Sequence, residues 1–338
     1  MTISAVGSDA SLQPLSGVSS EVWQHHHVLD LDEFSRGDIE NVFKTSNIMR
    51  QILDRDVKRV PTLRGKTITN LFYEPSTRTR ASFELAAKTL GAEVLGFDTV
   101  GTSVAKGESL VNTLHTLEAL GADVIVVRHP RSGVPYIAAQ EVSCSIINAG
   151  DGCHAHPTQA LLDLYTIWRR IGKLDGLKVV IIGDIKHSRV ARSNMWGMSK
   201  MGMKVTLSAP STLLLRYIDQ FISQSGMSHV DVVSNLDNAV EEADVVMPLR
   251  LQLERQEEGL LPSLREFTLR YQLDGRRLSL ANRNVIVLHP GPIHEDIEIA
   301  SEVAHGSQSL IEQQVTNGVA VRMALLYLIT RTKRGDQT

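Results

Sequence analysis

Short apolar runs alternate with longer amphipathic ones along most of the chain. The short runs predict strands at Thr67–Phe72, Glu93–Phe97, Val124–Val127, Ser145–Asn148, Lys178–Ile182, Lys204–Ser208, Val230–Val233, Val245–Met247 and Val285–Leu288. Between them, residues spaced for one buried helical face predict helices at Ser76–Leu90, Ser109–Leu120, Val134–Val142, Gln159–Gly172, Ser188–Met201 and Thr212–Ser223. This β-α alternation predicts an α/β fold of two domains, each a parallel sheet flanked by helices on both faces. The halves cover 28–155 and 174–305, and a helix within 156–173 connects them. The tail, 306–338, reads as an amphipathic helix from Ser307 to Thr330 that returns to the first half. Its expected buried positions are Leu310, Ile311, Val315, Val319, Val321, Met323, Leu325 and Leu326. Residues 1–27 form an extension rich in Ser and Gly at its start, expected to be mobile.

Composition narrows the functional classes. A length of 338 residues suits roughly two domains, and 42% hydrophobic with 22% charged residues describes an ordinary globular protein. A net charge of −3 supplies no basic field for nucleic acid. No apolar run approaches a membrane span, and no charged segment followed by an apolar core suggests a signal peptide. Two cysteines, Cys144 and Cys153, are too few for a disulfide framework and fit a reducing cytoplasm.

Many strand candidates end in chemically loaded turns. These are Glu74-Pro75-Ser76, Arg128-His129-Pro130, Gly150-Asp151-Gly152, Gly183-Asp184 and His289-Pro290-Gly291. Ligands of open α/β sheets bind outside the carboxyl ends of the strands, so a site is expected there. Ser76-Thr77-Arg78-Thr79-Arg80 is the most informative stretch. It puts hydroxyls and two guanidinium groups at a helix N-terminus that already carries partial positive charge and free N–H groups. Two arginines oppose that dipole unless an anion sits among them, and a phosphate resolves the conflict. The alternative is Ser76 as an ordinary cap with both arginines solvated.

Other segments carry weaker signals. Arg128 can reach a phosphate or a polarised carbonyl oxygen, or it can be a plain surface arginine. His156 precedes Pro157, which suits the first helical position, so the imidazole faces a helix N-terminus. That environment leaves a neutral ring able to donate one hydrogen bond to a carbonyl oxygen, with the Gln159 amide on the same turn. A capping turn with a half-buried histidine is the plainer alternative. Cys153, His154 and His156 invite a metal reading, but no second Cys/His pair completes a ligand set, and no metal is expected. His25-His26-His27 reads as solvated or as a strand edge. The Gly-flanked loop that carries Lys106 suits a lid or an exposed turn. Gly183-Asp184 to Arg189 opens a helix after a buried strand but lacks the dinucleotide fingerprint. Arg189 repeats the dipole conflict of Arg78, and with Arg250 and Gln252 it suits a dicarboxylate. His289-Pro290-Gly291-Pro292 is a stiff turn that can present carbonyl groups.

In this order the motifs resemble the catalytic chain of the aspartate carbamoyltransferase family, over about Val28 to Ile329. The matching segments are Phe72 to Arg80, Lys106-Gly107-Glu108, Asn148 to Gly152, His156-Pro157-Thr158-Gln159, Gly183-Asp184, Arg189, Arg250-Leu251-Gln252 and the His289 to Pro292 turn. The resemblance implies a carbamoyltransferase that moves the carbamoyl group of carbamoyl phosphate to the amine of L-aspartate, in pyrimidine biosynthesis. It implies a carbamoyl-phosphate domain, an aspartate domain and a homotrimer with shared active sites. Ser76, Thr77, Arg78 and Thr79 would grip the phosphate. Thr79, Arg128 and His156 would bond the carbonyl oxygen. Gln159 and the Pro290 carbonyl, in the turn with Gly291 and Pro292, would orient the carbamoyl amino group and the incoming amine. Arg189, Arg250 and Gln252 would hold aspartate. Lys106, with Thr102 or Ser103, would reach in from a neighbouring chain. No metal or organic cofactor is required.

One segment departs from the pattern. Many relatives carry Asn-Arg-Gly where this chain has His294-Glu295-Asp296 within Ile293 to Asp296, so Glu295 stands where a basic residue is expected. The extension and the run from Arg250 to Arg255 resemble the branch that associates with a dihydroorotase or a dihydroorotase-like chain. Three rival functions differ in chemistry. Ornithine carbamoyltransferases carry His-Cys-Leu-Pro in place of His289 to Pro292, and Arg250 with Gln252 suits a carboxylate better than an ammonium group. A dehydrogenase would need the missing glycine fingerprint. A non-catalytic scaffold would not need Arg78, Lys106, Arg128, His156 and Arg189 together.

Overall fold

The computed structural model describes residues 23–98, 109–227, 229–255 and 259–331. The first half contains α1 (Arg36–Leu53), β1 (Thr67–Phe72), α2 (Thr77–Thr89), β2 (Glu93–Asp98), α3 (Leu110–Ala119), β3 (Val124–His129), α4 (Val134–Glu141) and β4 (Ser145–Asp151). Helix α5 (Pro157–Ile171) follows. The second half contains β5 (Lys178–Ile182), α6 (Arg189–Lys200), β6 (Lys204–Ser208), α7 (Ile218–Gln224), β7 (Val230–Val232), α8 (Leu236–Val240), β8 (Val245–Pro248), α9 (Leu264–Tyr271), α10 (Gly275–Leu278), β9 (Ile286–Val287) and α11 (Ser301–Ala304). Helix α12 (Ile311–Arg331) ends the described chain.

The strands form two sheets, in the orders β2-β1-β3-β4 and β7-β6-β5-β8-β9, and every pairing is parallel. A parallel strand covered by helices on both faces must be apolar throughout, and Val124 to Val127 of β3 are all buried. In each sheet the chain reverses its direction of strand addition once, between β1 and β3 and again between β5 and β8. Crevices form at such reversals, outside the carboxyl ends of the strands.

The connecting helix is part of the core, since every residue from Pro157 to Ile167 is buried. It packs against α6 on one side and α12 on the other, and α12 also covers α1 and α2. One apolar cluster therefore runs from Ile39 and Phe83 through Leu161 and Leu164 to Val179 and Val246. Truncating Leu325 or Leu326, both fully buried, to Ala costs about 2–5 kcal/mol at such positions. No helix among the described residues is long and apolar enough to cross a membrane.

Several details differ from the sequence reading. The helix expected at Thr212–Ser223 is a 3₁₀ turn, Ser211–Leu213, followed by α7, because Leu214 is extended and Tyr217 adopts a left-handed φ of 62°. Helix α12 starts at Ile311, not Ser307, because Gln308 and Leu310 hydrogen-bond to Val287 at the sheet edge. Val315 is 51% exposed rather than buried, since it borders the cleft described below. Residues 23–27, assigned to the extension, are folded: Trp23 is buried, and the His27 Nδ1 accepts from the Ile146 N–H at 3.1 Å. Val28 bridges to Ile147, so the histidine run leads into the edge of the first sheet. Helix α1 went unread; Ser35 and Asp38 close a reciprocal capping box at its start.

Candidate active site

The carboxyl ends of β1, β3, β5 and β8 open onto one cleft of about 950 Å³. Its lining includes Ser76, Thr77, Arg78, Thr79, Arg128, His156, Gln159, Arg189, Arg250, Gln252, Pro290, Gly291 and Pro292. Residues scattered over the sequence are thus gathered at the two topological reversals. Thr102, Ser103 and Lys106 lie outside the described residues.

Ser76 occupies the N-cap position of α2 in extended conformation, yet its side chain makes no cap hydrogen bond. No acidic residue lies in the first turn of α2. Ser76 is therefore not an ordinary side-chain cap, although Arg78 beside it is exposed, and the hydroxyl and the helix-end N–H groups remain available to an anion. Burial first, and the nearby Arg250 second, make the Arg78 charge harder to hold. A bound anion would relieve that cost. A Cβ on Gly291 would overlap the Arg78 guanidinium, and Gly291 has φ 58°, so the turn needs glycine for both room and backbone conformation.

Glu74, to which the sequence reading gave no role of its own, organises the centre. Arg128 Nη2 donates to its Oε1 at 2.6 Å. Arg189 donates to Oε1 at 2.7 Å and to Oε2 at 3.1 Å. Arg255 donates to both oxygens at 3.1 Å. Glu74 follows β1 and Arg128 lies near the end of β3 in the first sheet, whereas Arg189 and Arg255 belong to the second half. The carboxylate therefore straps the two halves together. Burial pushes the Glu74 carboxyl up, but Arg189, Arg128 and Arg255 overcome this and hold it at about 2. Burial, then Arg189, brings Arg128 down to about 10. Gly150, at φ 115°, leaves space for these groups, since its Cβ would lie 2.8 Å from Arg189 Nε and 3.3 Å from Arg128 Nη1.

His156 precedes α5, with Pro157 in the first turn, and its backbone N–H donates to Ser193 Oγ at 2.9 Å. Its Nδ1 is buried without a hydrogen-bond partner. Burial, followed by Arg189, Arg128 and Arg322, drives its pKa well below the usual 6.5. The ring is neutral, as the sequence suggested, but the main causes are burial and arginines rather than the helix end. His154 instead pairs with Asp151 at 3.1 Å. No group of three or more His, Cys, Asp or Glu among the described residues is arranged to hold a metal.

In the second half, Ser188 caps α6 through the Ala191 N–H and places Arg189 in the first turn. Asp184 Oδ1 accepts from the His187 backbone at 3.2 Å, and Oδ2 accepts from the Gln252 N–H at 3.2 Å. One carboxylate thereby braces the turn after β5 against the segment after β8. Arg250 pairs with Glu254. Glu295 is not among the lining residues; it accepts from Ser301 Oγ at 2.7 Å and lies 3.1 Å from His305 Nε2. Glu74, Arg255, Gln314 and Arg322 are polar cleft residues to which the sequence expectations gave no individual role. Glu74 and Arg255 stood inside recognised motifs, whereas Gln314 and Arg322 carried no signal beyond lying on an apolar helix.

Two family models match the chain. The aspartate/ornithine carbamoyltransferase carbamoyl-P binding domain covers residues 26–169, and the Asp/Orn binding domain covers 175–329. The chain is 57% identical over 311 residues to the aspartate carbamoyltransferase catalytic subunit of Dehalococcoides mccartyi, covering 92% of this chain and 93% of that one. Aspartate transcarbamoylase from Trypanosoma cruzi, solved with carbamoyl phosphate and aspartate, superposes with a TM-score of 0.80 at 30% identity, covering 92% and 96% of the two chains. Ornithine carbamoyltransferase from Pyrococcus furiosus gives a TM-score of 0.81 at 26% identity, covering 92% and 98%. The two solved enzymes fit the backbone about equally, so overall shape does not choose between aspartate and ornithine. The 57% relative does favour one of them.

Proposed function

We infer the reaction from one premise: the chain belongs to the aspartate/ornithine carbamoyltransferase family. It is an aspartate carbamoyltransferase, which transfers the carbamoyl group of carbamoyl phosphate to L-aspartate in pyrimidine biosynthesis. The observation that carries the assignment of its parts is the meeting of two cationic poles across one cleft. One is the uncapped start of α2 with Arg78, and the other is Arg189 with Arg250.

In this reading Ser76, Thr77, Arg78 and Thr79 hold the phosphate. Thr79, Arg128 and the neutral His156 hydrogen-bond the carbonyl oxygen. Arg189 and Arg250 take the carboxylates of aspartate, and Gln252 bonds beside them. Gln159 and the Pro290 carbonyl accept from the carbamoyl amino group and direct the amine. The amine nitrogen attacks the carbonyl carbon, and negative charge grows on the oxygen where the donors converge. The bond from that carbon to the bridging oxygen then breaks, and phosphate departs with the electron pair. Phosphate can also accept the proton lost by the amine. No protein nucleophile takes part, and much of the rate comes from aligning two anions that repel in water.

Lys106, with Thr102 or Ser103, acts from a neighbouring chain of a homotrimer in this reading. Mixing Lys106→Ala with Arg78→Ala chains then restores part of the activity, because one mixed site can draw intact parts from both. No recovery in verified mixed trimers removes the shared site. A dihydroorotase or a dihydroorotase-like chain is a partner in a larger assembly, and a bare trimer in native material removes that partner. The reaction itself is tested by phosphate release with aspartate and ornithine in parallel. Turnover with ornithine alone, or with neither, refutes the assignment.

A further inference from the structure

We propose that Asp163 and Gln314 are positioning residues that lock both acceptors of the carbamoyl amino group into one hydrogen-bonded frame. The proposal rests on the reading above, in which the Gln159 side-chain oxygen and the Pro290 carbonyl accept from that group. Asp163 lies one turn after Gln159 on α5 and is fully buried. Its Oδ1 accepts from Gln159 Nε2 at 2.8 Å and from Gln314 Nε2 at 2.7 Å. Its Oδ2 accepts from Asn194 Nδ2 at 2.9 Å. Gln314 Oε1 in turn accepts from the His289 N–H at 2.9 Å.

The chemistry of this chain fixes its direction. A carboxylate only accepts, so each glutamine must turn its NH₂ toward Asp163 and its oxygen away. The Gln159 oxygen is thereby left for the cleft, which Gln159 borders. The Gln314 oxygen is directed to His289, the residue just before Pro290. One carboxylate thus sets an acceptor on the connecting helix and, through α12, the start of the turn that carries the other. Polar groups this deeply buried are costly to leave unpaired, so the chain resists a flip of either amide.

The test compares carbamoyl phosphate with acetyl phosphate, in which a methyl group replaces the amino group and has nothing to donate. Calorimetry on the full-length protein gives the ratio of the two dissociation constants. Wild type favours carbamoyl phosphate. Gln314→Met cannot bridge and should lower that preference about fivefold or more, on the scale of one lost hydrogen bond, while acetyl phosphate affinity stays within about twofold. Asp163→Asn keeps one acceptor oxygen, and the Asn194 amide, whose Oδ1 is buried without a partner, can turn to meet it. That conservative variant should retain the preference. Should Gln314→Met not fold, Gln314→Asn, polar but too short to bridge, takes its place. An unchanged ratio in a folded Gln314 variant overturns the proposal, because a purely structural change would weaken both ligands alike. If wild type binds neither ligand, the reading of the site itself fails; if wild type binds both equally, the amino-group frame fails.

Discussion

Replacing Glu74 by Gln removes the one anion shared by Arg128, Arg189 and Arg255. The carboxyl titrates at about 2 instead of its ordinary 4.5. At about 1.4 kcal/mol per tenfold change in proton affinity, that difference is roughly 3 kcal/mol of stability. Water reaches the edge of the carboxylate, so the net figure is about 2 kcal/mol. Repulsion among the three guanidinium groups left behind brings the expected loss to about 3 kcal/mol at pH 7. A carboxyl with a depressed folded pKa stabilises above its unfolded value. The contribution is therefore complete above about pH 5, falls below 4.5 and is gone near 2. Urea unfolding of wild type and Glu74→Gln should differ most at pH 7, and the gap should narrow as the pH falls below 4.5. Inorganic phosphate should rescue the variant more than the wild type, because an anion can take the vacated place among the arginines. Equal unfolding midpoints at pH 7, with no differential effect of phosphate, would refute the electrostatic strap.

Arg78→Ala should lower kcat/KM by about 100-fold or more, corresponding to roughly 3 kcal/mol of transition-state stabilisation, as steady-state assays would reveal. Gly291→Ala puts a methyl group into the Arg78 guanidinium, and calorimetry should show about tenfold or greater loss of carbamoyl phosphate affinity with the fold intact. The His156 ring should not titrate near pH 6.5 by NMR, because burial and the surrounding arginines keep it neutral there. A folded His pKa below the unfolded value makes stability fall as pH drops below 6.5, and His156→Gln should remove that share of the acid sensitivity. An imidazolium at pH 6.5 would contradict the assignment.

The β-α alternation was legible because parallel strands buried on both faces must be nearly all apolar, as Val124 to Val127 are. Arg78 and Arg189 were legible because each is a cation at a helix N-terminus, a local conflict visible in one segment. Glu74 was not, since its meaning depends on Arg189 and Arg255, which lie far away in sequence. Gln314 was missed for the same reason, as a polar residue within an amphipathic pattern reads as solvent-facing until the helix is docked. The helix expected at Thr212–Ser223 failed because propensity could not foresee the left-handed Tyr217. Arg250 shows a further limit, since its sequence position suggested a free carboxylate receptor whereas Glu254 holds it.

These contacts share one electrostatic logic. A site for two anionic substrates must concentrate positive charge, and the cleft brings Arg78, Arg128, Arg189, Arg250, Arg255 and Arg322 to its walls. Left alone, such a cluster would push the two halves apart, since both contribute to it. Glu74 counters this at the centre and Glu254 at the rim, each by occupying guanidinium donors that face the cleft. In the proposed reading of the site, substrate binding is then largely an exchange of one anion for another. The protein gains less affinity from exchange than from filling an empty receptor, but the unliganded fold is spared the full repulsion. The geometry follows from topology, because each sheet offers its arginines at the reversal of strand order and, among the described residues, Glu74 is the carboxylate that pairs with both sets. Stability of the interface and readiness for anions are therefore set by the same few side chains, and a substitution that alters one should alter the other.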